Sequence, residues 1–140
     1  MPSHEDRTVI LETGSFSVAE LEAVFAALPV DISFVDHDDT VRYFNPTPGR
    51  IFARTKAVVG RKVQNCHPAK SVHVVQQILD DFRAGRRDRA EFWIDLQGKL
   101  VHIRYLAVRG RSGEYLGCLE VSQDIAPLRE IRGEKRLLDD

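Results

Sequence analysis

Between Gly60 and Gly85 the chain reads GRKVQNCHPAKSVHVVQQILDDFRAG, and Val72, Val75, Ile78, Leu79 and Phe82 recur there at helical spacing. This predicts a long amphipathic helix with one side against a core. Pro68 suits its first position, where no N–H is needed, and Gly85 suits its stop. Earlier, Ser17 and Glu20 form a capping box, with Phe16 placed to staple onto Leu21. Val18, Leu21, Val24, Phe25 and Leu28 then make a helical stripe ending at Pro29. DISFVD alternates as a strand, His37-Asp38-Asp39 turns, and TVRYFN returns as its partner. Pro46 and Pro48 break regularity, and residues 49–65 read as short helical turns and loop. After the long helix, RAEFWIDL, KLVHIRYLAV and EYLGCLEVSQDI read as strands.

That order predicts an α+β fold: one five-stranded antiparallel sheet with short helices and one long helix on a face, plus N- and C-terminal helices. The expected layout is a polar N-terminal arm over 1–16 (frayed over 1–8), one domain over 17–125 and a charged helical tail over 126–140.

The turns set an expected register. Gln97-Gly98 as a two-residue loop places Leu96 opposite Lys99, Trp93 opposite His102 and Glu91 opposite Arg104. Gly113 as the left-handed third residue of the next loop sets Arg104 opposite Glu120, Leu106 opposite Cys118 and His102 opposite Ser122. One face is then apolar: Ala90, Phe92, Ile94, Val101, Ile103, Tyr105, Leu119 and Val121. The other carries Glu91, Trp93, His102, Arg104, Cys118, Glu120 and Ser122, and Glu91–Arg104–Glu120 becomes a cross-strand charge ladder. The ladder reads as exposed surface or, alternatively, as the polar wall of a ligand pocket. The apolar face is the better partner for the long helix.

Composition narrows the function classes. Hydrophobic residues make up 43% and charged residues 29%, an ordinary globular balance. Twenty basic against 21 acidic residues give a net charge of −1, which argues against nucleic acid as a partner. The cluster Arg83, Arg86, Arg87 and Arg89 reads as a solvated turn. No apolar run reaches membrane-spanning length and MPSHEDR is no signal peptide, so no membrane partner is expected. Two cysteines far apart, with no CxxC, suggest a cytoplasmic setting.

The stretches LPVDISFVDHDDTVRYFN, VGRKVQNCHPAKSVHVV, EFWIDLQGKLVHIRYLAVR and LGCLEVSQDI together resemble a PAS domain. More narrowly, NCHPAKSVHVV and EKRLLD are similar to the C-terminal PAS module of DUF438 hemerythrin-like proteins. The resemblance implies a small-molecule sensor, often dimeric, holding haem, flavin, an organic acid or nothing between the long helix and the sheet. It covers nearly the whole chain and no partner domain.

Haem b is the cofactor this resemblance favours, and a proximal histidine beside an apolar cavity suffices to hold its iron. His67 and His73 are the two iron-ligand candidates, with Cys66 as a thiolate alternative. The helical wheel sets His73 nearly opposite Val75, Ile78 and Phe82 and so favours His67, whereas the resemblance favours His73. Val75, Ile78 and Leu79 from the helix, with Trp93, His102, Arg104, Glu91 and Glu120 from the sheet, form the expected ligand pocket. Cys66 is displaced from the Gly-Arg-x-Cys pattern of flavin photosensors, and zinc needs about four close ligands that this segment lacks. The expectation is a haem-binding PAS sensor of gas, redox state or a small ligand, acting as a homodimer. The alternatives are a stand-alone haem enzyme, an isomerase or nitrogen-group (nitrene-type) transferase on an N–O substrate, and a cofactor-free interaction module dimerising through its first helix.

Overall fold

The computed structural model describes residues 3–139. In chain order the elements are β1 (Thr8–Leu11), β2 (Gly14–Ser17), α1 (Val18–Ala27), β3 (Asp31–Asp36), β4 (Val41–Phe44), α2 (Ala69–Arg83), β5 (Arg89–Leu96), β6 (Lys99–Arg109), β7 (Tyr115–Asp124) and α3 (Ala126–Arg129). β3 to β7 form one antiparallel sheet in the order β4-β3-β7-β6-β5. The α+β architecture is as expected.

Local chemistry explains most boundaries. Ser17 Oγ accepts from Glu20 N at 3.0 Å and Glu20 Oε1 accepts from Ser17 N at 2.8 Å, so the capping box is complete. α2 ends in a Schellman motif: Gly85, at φ 75°, donates to Phe82 O at 3.1 Å and Arg86 N donates to Asp81 O at 2.8 Å. Pro68 is the residue preceding the helix rather than its first turn, so Ala69 begins α2.

Both termini differ from expectation. The expected arm over 1–16 is ordered in its described part: a 3-10 turn leads into the β1–β2 hairpin, which backbone pairing from Thr8↔Ser17 to Leu11↔Gly14 holds although Ile10 and Leu11 are exposed. Met1, Pro2 and Asp140 lie outside the described residues. Among the described residues the tail is helical only over Ala126–Arg129 and a 3-10 turn at Leu137–Asp139, because Gly133 takes φ 61° between them and the apolar edge finds nothing to cover. The arginine cluster is ion-paired rather than merely solvated. Arg83 meets Asp39 at 2.6 Å, and Arg86 and Arg87 meet Asp81 at 2.8 and 3.0 Å.

The β5–β6 register matches the expected pairing throughout, from Leu96↔Lys99 to Glu91↔Arg104. β6–β7 does not. The three-residue loop forms as expected, with Gly113 at φ 83° donating to Gly110 O, and Arg109 still pairs with Tyr115. Val108, however, pairs with Gly117, so Leu116 is an extra residue and every later pair shifts by one. Arg104 faces Val121, Leu106 faces Leu119, and Glu120 faces Tyr105. Gly117 is required at this bulge. Its φ is 154°, and an added Cβ would stand 2.1 Å from Val35 O and 2.9 Å from the Phe34 ring.

Cys118, Glu120 and Ser122 therefore turn to the side of Val101, Ile103 and Tyr105, and β3 adds Asp31, Ser33 and Val35 to that side. Leu119 and Val121 turn to the side of Glu91, Trp93, His102 and Arg104. The core lies under α2, where Val75, Ile78, Leu79 and Phe82 pack over Val35, Val101, Ile103, Tyr105 and Cys118. Phe82 and Val101 are fully buried.

Candidate functional site

The connection from β4 to α2 is fixed before it reaches the site. Asn45 is fully buried; its Oδ1 accepts from Ile32 N at 2.7 Å and its Nδ2 donates to Phe25 O and Val30 O. Arg50 donates to Asn45 O at 2.8 Å and to Phe52 O at 3.2 Å, while Asp31 accepts from Ile51 N at 2.7 Å. These bonds hold Phe52 and Arg54 beside the sheet. The 3-10 turn Val63–Cys66 then delivers Cys66, His67 and Pro68 to the start of α2.

Between α2, this connection and the sheet lies a cavity of about 550 Å³. Its walls are apolar: Phe52, Val75, Ile78, Phe92 and Ile103. Val74 and Phe92 are 51% and 38% exposed and mark the mouth. Polar groups converge from two sides, with Cys66, His67, Ser71 and Arg54 from the helix side and Tyr105 and Glu120 from the sheet. A smaller void of about 20 Å³ adjoins it, also lined by His67, Tyr105 and Glu120 and closed by Val63, Leu79 and Cys118. Its size and lining suit a small ligand site.

Burial, reinforced by the Arg54 charge, holds His67 below the ordinary histidine range, so its ring is neutral near pH 7. Burial raises Glu120, against which Arg54 and Arg50 act. The Tyr105 hydroxyl is raised, chiefly by burial and then by Glu120. The Cys118 thiol is pushed up to about 12 for the same reasons. Cys118 is thus an inert buried thiol. Cys66 is half-buried at the cavity, with its Sγ 3.8 Å from Lys62 O.

Of the pocket residues expected from sequence, the structure brings together Cys66, His67, Val75, Ile78, Leu79 and Glu120. His73 is exposed on the outward side of α2, as the wheel indicates. Glu91, Trp93, His102 and Arg104 are on the far face of the sheet and line no part of the cavity. The ladder breaks with them. Glu91 Oε2 lies 2.6 Å from His102 Nε2, and Glu120 faces the other way. Trp93 is 62% exposed, and Arg104 Nε is buried with no partner among the described residues. Arg54, Phe52 and Tyr105 are site residues that sequence reasoning missed. The first two sit on a loop with no period. Tyr105 was placed on the correct face, where a buried hydroxyl among apolar neighbours is the available signal.

No curated protein matches the chain. Among solved structures, it is similar to the C-terminal domain of a protein from Streptococcus mutans at 34% identity and TM-score 0.86, covering 91% of this chain and 99% of that one. It is similar in fold to a PAS domain from Colwellia psychrerythraea at 13% identity and TM-score 0.56, covering 79% and 98%. A sensory box sensor histidine kinase from Vibrio cholerae aligns at 11% identity and TM-score 0.54, covering 74% and 87%. The family model for PAS domains matches residues 21–126, from within α1 to the first residue of α3, and so takes in the whole sheet and the cavity. The chain belongs to the PAS domain family.

Proposed function

We propose that the chain is a ligand-binding PAS sensor module, that its ligand occupies the cavity under α2, and that this ligand is haem held through His67. The observation that carries this reading is the position of His67. It is the one histidine lining the cavity, its ring is neutral, and its nitrogens have no hydrogen-bond partner among the described residues. Among those residues no cluster of three or more His, Cys, Asp or Glu stands ready for a metal ion, whereas a single imidazole such as His67 would suffice to hold a haem iron. Apolar walls suit a porphyrin, and Arg54 is the cation available to its acidic edge. When bound, haem supplies an iron that takes a diatomic gas or changes oxidation state. This chain's own residues bind and orient it and hold water away from it.

The test is haem reconstitution of the purified chain. The parent should show a Soret band at one haem per chain; His67→Ala should lose it, while His73→Ala and Cys66→Ala keep it. A colourless parent after haem supplementation overturns the haem reading in favour of a cofactor-free interaction module, and an unchanged spectrum in His67→Ala overturns the ligand assignment. Exposed Ile10, Leu11 and Val24 near the N-terminus support self-association as a homodimer, which light scattering checks.

A further inference from the structure

His67 and Glu120 border two spaces at once, the main cavity and the void of about 20 Å³ behind it. Tyr105 also borders both. Among the described residues none of these three side chains makes a hydrogen bond or ion pair. The sealed polar atoms without a partner are elsewhere, at Arg104 Nε and Tyr115 OH, whereas these three side chains open onto the two spaces, where water is the ordinary partner. A void of roughly 10–15 Å³ is enough for one water, provided it finds two to four polar partners. The inner void has that volume, and three polar side chains line it.

We propose that one ordered water in the inner void links the Glu120 carboxyl to the His67 ring, making Glu120 the positioning residue for that imidazole. The two nitrogens of a histidine are distinct, and the bond made by one decides which tautomer the other presents. With one nitrogen turned to the water, the other faces the main cavity as a free acceptor. The Tyr105 hydroxyl is the third partner of the water. Arg54 and Arg50 act on Glu120 from the β4–α2 connection, and Cys118 stands beside it on β7. The bulge at Leu116 is what turns Glu120 to this side, so Gly117 serves the pair as well as the strand. For haem, and only there resting on the reading above, Glu120 would then act through the water on the histidine that holds the iron, orienting its ring and raising its basicity.

The first measurement needs no cofactor: ¹⁵N spectra of the His67 ring in the metal-free chain. The parent should show one tautomer. Glu120→Leu should shift the ring resonances toward a tautomer mixture, and Glu120→Gln, which keeps an accepting oxygen, should restore the single form. Ring resonances unmoved in a folded Glu120→Leu protein overturn the proposal. So does a high-resolution crystal structure of the parent with the inner void dry, which needs no variant to fold. The second measurement is haem affinity, expected to fall roughly 10–100-fold in Glu120→Leu. Ring resonances that respond to Glu120 in a parent that takes up no haem uphold the pair and sink the haem reading. Haem taken up through His67, with ring and affinity indifferent to Glu120, sinks the pair and leaves the haem reading standing.

Discussion

Strand β6 belongs to two hairpins, and they obey different rules. On its β5 side, Gln97 and Gly98 both take positive φ, at 52° and 84°, and the tight loop fixes a register that holds over the full ladder. On its β7 side, the loop at Gly113 is just as well formed, yet it fixes only the pair Arg109↔Tyr115. One residue later the bulge at Leu116 resets the count and turns each following side chain to the opposite face. A turn thus sets register only as far as the first bulge. The lining of the cavity follows from that limit, since the bulge turns Glu120 into it while Glu91 and Arg104, on the unbulged side, stay outside.

Substitutions at the two glycines should separate these hairpins most sharply. Gly117→Ala must meet both the Val35 carbonyl and an unfavourable φ, so a loss of about 2–5 kcal/mol is expected in urea denaturation. Gly98→Ala meets nothing within 4 Å and pays only for φ 84°, about 1–2 kcal/mol. Equal losses would show that the bulge is not sterically tied to glycine.

The pH dependence of stability comes next. Burial holds the folded Glu120 carboxyl above its ordinary value of 4.5. The folded chain therefore keeps a proton that the unfolded chain has released. Stability from this group is full below that ordinary value and is lost as pH rises through the raised folded one. Glu120→Gln should flatten that fall in a series of denaturation curves, and Glu91→Gln on the exposed face should not. The reverse pattern would place Glu120 outside.

The smallest effect concerns the outer face. A double-mutant cycle on Glu91 and His102, whose side chains meet at 2.6 Å, should show coupling of about 0.2–1 kcal/mol, while Glu91 with Glu120 should show none beyond error.

Much of the fold was legible because its signals are local. The period of Val75, Ile78, Leu79 and Phe82, the Ser17–Glu20 box and the Gln97-Gly98 turn each act within a few residues, and each appears where expected. The site was legible only where it shares those signals, as with His67 and the inward face of α2. The position of Glu120 depends on a close approach between Gly117 and Val35, which are distant in sequence. Its one trace in the sequence is a glycine inside a strand, a mark of bulges and close backbone contacts. Arg54 and Phe52 were beyond reach because Asn45, Arg50 and Asp31 place them through bonds to other elements.

The central claim is that the bulge turns Glu120 toward α2 and into the cavity with His67. Nuclear Overhauser contacts from the Glu120 side chain test it most directly. Contacts to the Ile78 and Val75 methyl groups and the Tyr105 ring are predicted. Contacts to Arg104 in their place would contradict the account, returning Glu120 to the outer face and emptying the cavity of its carboxyl.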